Sequence, residues 1–132
     1  LILSDPAVKV IGISEFRWCS NLWKVTLPHV EVLGTNAFWD CCNLSEANLT
    51  SAKMVGVCAF AGCTSLVNVS VPSAKLIFWT AFGHCYALRH ITISPSVKVE
   101  DGAFFRCLSL EILAASTNFE VDSGDKVNHG QG

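Results

Sequence analysis

Seven cysteines and four histidines are the side chains here with nucleophilic, redox or metal-binding chemistry. Five of the cysteines, Cys19, Cys41, Cys63, Cys85 and Cys107, recur every 22 residues. One thiol per period makes a ladder of like groups, whereas zinc needs ligand pairs that converge on a tetrahedron. Neighbouring thiols in such a ladder come within disulfide reach, a Cα separation of about 4.4 to 6.8 Å, but in-register side chains lie side by side and do not point at one another. The column therefore reads as buried small thiols. Cys42 and Cys58 stand outside it, the Cys58-x4-Cys63 spacing does not suit a metal, and an odd total leaves one thiol unpaired in a monomer. The thiols leave the redox compartment open. His29, His84, His90 and His129 fall in different columns, so the sequence neighbours His84 and Cys85 are not aimed at each other as a nucleophile and base must be. Carboxylates form no column that could hold calcium, and no glycine-rich phosphate loop is present. No catalytic residue, metal or cofactor is expected, so the chain does not read as an enzyme.

The elements that place these thiols follow from the same period. Phe16, Phe38, Phe60, Phe82 and Phe104 each precede a column cysteine by three residues and a leucine (Leu22, Leu44, Leu66, Leu88, Leu110) by six. Aliphatic columns continue at Val25, Ala47, Val69, Ile91 and Leu113, and again at Leu27, Leu49, Val71, Ile93 and Ala115. A further column runs through Leu33, Val55, Ile77, Val99 and Val121. Alanine stands before four of the five Phe, with Glu15 in the other slot. The unit is A-F-x-x-C-x-x-L-x-x-V-x-L-P-x-x-x-x-φ-G, where φ is aliphatic.

This unit resembles the BspA-like leucine-rich repeats, whose run is IGxxAFxxCxxLxxIxLP. The nearest matches are Leu33-Gly34-Thr35-Asn36-Ala37-Phe38-Trp39-Asp40-Cys41 and residues 60–72, and the likeness covers about residues 3 to 115. It implies a leucine-rich-repeat solenoid, a right-handed coil with one short parallel strand per repeat and helical turns or short second strands between. It also implies a cell surface or secreted protein used in adhesion to host or matrix components.

Local patterning supplies the parts of the coil. Alternation ending in β-branched residues marks a strand at 22–27, 66–71 and 88–93, and Pro28, Pro72 and Pro95 end it. Residues 30–33 suit a second short strand, and the Ala-Phe-x-x-Cys-x-x-Leu part suits a helical turn that drops Phe and Cys inward. Rungs about 4.8 Å apart would make five repeats about 25 Å long. The solenoid is expected over 1–121, about five and a half repeats. It starts mid-repeat, since Leu3 falls in the Val25 column and Pro6 in the Pro28 column, as in a fragment of a longer array. A partial closing rung is expected at 116–121 and a polar mobile tail at 122–132.

Composition agrees: 51% hydrophobic and 15% charged residues suit an array in which every rung buries its own apolar set. No apolar run approaches the roughly 18 residues of a membrane span, so no membrane insertion is expected. A net charge of -2 with scattered basic residues leaves no footprint for nucleic acid.

Function is then sought on the strand face, where the outward positions are Trp23, Lys24 and Thr26; Ser45, Glu46 and Asn48; Val67, Asn68 and Ser70; Arg89, His90 and Thr92; and Glu111, Ile112 and Ala114. Most of these change from rung to rung, as a recognition surface must. Trp23 is the candidate aromatic anchor, Lys24, Glu46, Arg89 and His90 the candidate charges, and Asn68 the candidate polar contact for a protein partner. The reading is a protein-protein interaction or adhesion module, with a structural segment inside a larger assembly as the alternative. Trp79, where other rungs carry a smaller residue, is expected to pack laterally on a neighbouring rung or else to add to an apolar contact patch. Asn43, Asn48 and Asn68 begin glycosylation acceptor tripeptides.

Overall fold

The computed structural model describes residues 1–111 together with the backbone of 112 and 128–129. Twelve short strands occur in this part: β1 (Ile2–Ser4), β2 (Val10–Ile11), β3 (Lys24–Thr26), β4 (Val32–Leu33), β5 (Glu46–Asn48), β6 (Met54–Val55), β7 (Asn68–Val71), β8 (Leu76–Ile77), β9 (His90–Ile93), β10 (Lys98–Val99), β11 (Glu111–Ile112) and β12 (Asn128–His129). They sort by turn of the chain into two parallel sheets. One has the order β1-β3-β5-β7-β9-β11-β12, the other β10-β8-β6-β4-β2. The chain is therefore a parallel-strand solenoid with about 22 residues per turn and two strands in each turn.

Side-chain alternation explains the two sheets. Val25, Ala47, Val69 and Ile91 pair in register and point inward, as do Leu33, Val55 and Ile77 on the other sheet; all are at most 3% exposed. Gly34 and Gly56 follow the second column because rungs touch there: a Cβ on either would lie 2.9 Å from the backbone carbon of the preceding glycine.

The third side of the coil is not a helical turn. Phe16 to Cys19 and its equivalents close successive reverse turns, with Cys19 N–H donating to the Phe16 carbonyl and Glu15 N–H to that of Gly12. Every second N–H instead crosses to the next rung: Ser14 to Thr35, Phe16 to Ala37 and Trp18 to Trp39, at 2.8 to 2.9 Å. A helix would direct these N–H groups along its own axis and leave the adjoining rung's carbonyls without donors. The crossing requires left-handed residues at regular places, including Ser14, Trp18, Asn36, Asp40, Thr80 and His84 at φ of 50 to 64°, with Gly62 and Gly102 taking the same region. Each non-glycine in that region costs about 1 to 2 kcal/mol, which the inter-rung hydrogen bonds offset.

The last registers of the seven-stranded sheet depart from the period. His90 pairs with Glu111 and Ile91 with Ile112, a separation of 21 where the earlier rungs have 22, and Glu111 pairs with Asn128 at a separation of 17. The backbone of Ile112 is thus the partner of Ile91, and the Ile112 side chain, Leu113 and the later column positions lie outside what the structure describes. So does the closing rung expected at 116–121. Of the stretch read as a tail, 128–129 is described, as a strand parallel to β11.

Candidate interaction surface

The thiol column is part of the scaffold. Cys41, Cys63, Cys85 and Cys107 are fully buried, and each Sγ donates to the carbonyl of the Phe one rung back (Phe16, Phe38, Phe60 and Phe82) at 3.0 to 3.1 Å. That carbonyl also receives the N–H of its own rung's cysteine. The S–H thus fills the second lone pair of an oxygen that would otherwise have one partner inside the core. All seven cysteines are free thiols. Burial pushes the Cys41 thiol up to about 11 and those of Cys63 and Cys85 well above the ordinary value. Only the thiolate attacks or binds metal, so these groups are chemically silent at neutral pH.

Histidine is separated from thiol in the same way. His84 Nδ1 lies 2.9 Å from the Tyr86 hydroxyl, and its ring meets Tyr86 and Phe105 edge-on. The neighbouring Cys85 points inward to Phe60. Among the described residues no three His, Cys, Asp or Glu side chains gather as a metal site would require.

On the outer face of the seven-stranded sheet, Lys24, Glu46, Asn68 and His90 form a register row. Lys24 Nζ lies 3.4 Å from Glu46, whose carboxylate also accepts Asn48 Nδ2 at 3.0 Å. Arg89 Nε stands 3.9 Å from Glu111 across the next strand pair. These are surface pairs worth roughly 0 to 1 kcal/mol each, so a partner can re-pair them at little cost. Asn68 is exposed, and His90 Nδ1 is buried with no hydrogen-bond partner among the described residues. Trp23 precedes β3 and is 47% exposed, with its backbone held by Leu1 on one side and Ser45 on the other. The sequence-selected residues thus share one face, with Lys24 tied to Glu46 and Arg89 to Glu111.

One aromatic pair escaped the sequence reading. Trp18 and Trp39 pack at a centroid distance of 5.8 Å on the turn side, with the Arg17 guanidinium 4.1 Å over the Trp18 ring. Their offset of one column hides the pair from a period of 22. Trp79, expected to pack laterally on a neighbouring rung or to add to an apolar contact patch, is 55% exposed and borders a shallow pocket with Lys98, Val99, Glu100 and Asp101 of the next rung. Its backbone N–H donates to the Glu100 carboxylate at 2.9 Å, which holds that loop in place.

The family described as "BspA type Leucine rich repeat region (6 copies)" matches residues 2–120. The chain belongs to the BspA-type leucine-rich repeat family. Its solenoid is similar to the crystal structure of a leucine-rich cell surface protein from Faecalibacterium prausnitzii A2-165, with a TM-score of 0.78 and 28% identity. That match covers 89% of this chain and 32% of the other, so the BspA-type segment spans about a third of that structure's length. Comparison with curated proteins finds no match. The repeat fold of such a cell surface protein is a non-catalytic kind, and no helix among the described residues is long and apolar enough to cross a membrane.

Proposed function

We propose that this BspA-type segment is a protein-binding module of a cell surface or secreted protein, used in adhesion, with its partner on the outer face of the seven-stranded sheet. The observation that carries the reading is the exposed Trp23 beside the row Lys24, Glu46, Asn68 and His90, one rung-variable surface laid on invariant core columns. Trp is the side chain that most often anchors an interface, and weakly paired rim charges set orientation and approach. Arg89, 61% exposed in its side chain, extends the surface toward the fifth rung. No reaction is assigned to it, and recognition requires only that the coil hold these side chains at a fixed spacing.

The test is affinity capture from host-cell or matrix extract with the native chain and with a Trp23→Ala, Arg89→Glu double variant. Loss of a specific protein at unchanged melting temperature supports the reading. Capture of the same proteins by both chains removes this face as the anchor and favours a structural segment held inside a larger assembly.

A further inference from the structure

The other sheet has an outer face of a different kind. Val10, Val32, Met54 and Leu76 stand in register there, one per rung, on β2, β4, β6 and β8. Val10 is 58% and Met54 37% exposed, and Val32 and Leu76 are half-buried. Apolar side chains in one outward row on four successive rungs, two exposed and two half-buried, are not the scattered single residues of an ordinary surface. On one side of the row, Gly12, Gly34 and Gly56 leave a step without side chains, closed at the fourth rung by the half-buried Phe78 and the exposed Trp79. On the other side runs a polar column, Lys9, Glu31, Lys53 and Lys75, held in register by backbone bonds of 2.8 Å from each N–H to the preceding rung's carbonyl. Glu31 pairs with Lys53 at 3.5 Å, so three exposed lysines against one glutamate leave this edge cationic.

We propose that this face is a second docking surface, and that its occupant is an amphipathic helix of a partner protein with acidic residues along one flank. Spacing selects the helix. It rises about 5.4 Å per turn, against about 4.8 Å per rung, so over the three steps from Val10 to Leu76 the two drift apart by only about 2 Å. A strand laid along the same axis repeats its face about every 6.8 Å and misses by about 6 Å over that distance. Apolar residues at i, i+4, i+7 and i+11 therefore meet the four rungs in turn. Charge selects the flank: acidic side chains on one edge of the helix face Lys9, Lys53 and Lys75, and Lys98, which pairs with Leu76, continues the row with a further cation on the next rung.

The probe is a fluorescein-labelled helical peptide with leucines at those positions and glutamates on one flank. It is compared with a peptide carrying lysines on that flank and with a scrambled peptide, by fluorescence anisotropy on the 132-residue chain. The acidic peptide should bind about ten-fold more tightly than either control, a difference of about 1.4 kcal/mol. Met54→Asp should remove that preference, and Val10→Asp, at a more exposed position, should do the same without disturbing the fold. The Trp23→Ala, Arg89→Glu variant should bind the peptide as the native chain does, which separates this surface from the face proposed above. Equal binding of all three peptides, no binding, or binding indifferent to both aspartate variants overturns the proposal. Phosphatidylserine vesicles are the parallel arm, and vesicle binding through Met54 and Val10 without peptide preference would replace the helix with a lipid surface.

Discussion

Along the interior of the coil, Phe38, Phe60 and Phe82 stack with ring centroids 5.2 Å apart and interplanar angles of 4 to 9°. Along the outer face of the seven-stranded sheet the same turns present Lys24, Glu46, Asn68 and His90, four different chemistries in one row. Inside, the Phe, Cys and Leu columns repeat one residue type from rung to rung, so a change at a middle rung removes contacts from two others. Outside, a side chain has water on one side and can change without disturbing the stack. The difference separates what holds the array together from what it can use for recognition, and it predicts where a substitution will matter.

Ionising the interior should produce the largest break. Cys41 is raised from the ordinary 9.0 to about 11, and burial raises Cys63 and Cys85 well above the ordinary value in the same direction. Between those values the unfolded chain loses its thiol protons while the native chain keeps them. Stability is therefore full below pH 9 and falls as pH rises from there through about 11. Urea midpoints measured from pH 8 to 11 should show this slope, and a flat profile would mean that the thiols are not sealed.

Next comes Phe60→Ala, which removes the middle ring of the stack and should cost about 3 to 5 kcal/mol in chemical unfolding. Gly34→Ala should cost about 1 to 3 kcal/mol, because the added methyl meets the backbone of the preceding rung. Smallest of all is Lys24→Ala on the outer face, with a stability change within about 0.5 kcal/mol. A large loss there would dissolve the contrast between interior and exterior. A sharper version uses thiol reagents at pH 8: Cys42, exposed, should react in the native state, while Cys63 and Cys85 should react only on unfolding.

The stack and the sheets were legible because burial forces the same residue type at the same depth in every rung. Phe, Cys and Leu recur without exception at their three positions, and Val25 or Ile77 could only point inward. The candidate surface was legible one step less directly, as the positions left over between inward columns. Pairings across rungs were not. A period of 22 aligns Lys24 with Glu46, but which of their neighbours each side chain turns to depends on rotamers that no column records. Trp18 and Trp39 meet although they occupy different columns, and the backbone of Trp79 is held by the Glu100 carboxylate of the next rung.

What the sequence determined by itself was the coil, its period, its inward columns and its family, because each follows from repetition of apolar side chains along a single chain. The tertiary structure decided that the Phe-x-x-Cys segment makes turns and not a helix, since the choice lies with carbonyls of the neighbouring rung that need donors. It also gave the cysteine column a reason beyond its volume, in the S–H bonds to the preceding rung, and it shortened the register at β11 by one residue. It alone set Val10, Val32, Met54 and Leu76 side by side on an open face. Contacts between rungs join residues a full turn apart, and their geometry exists only after the chain has closed on itself.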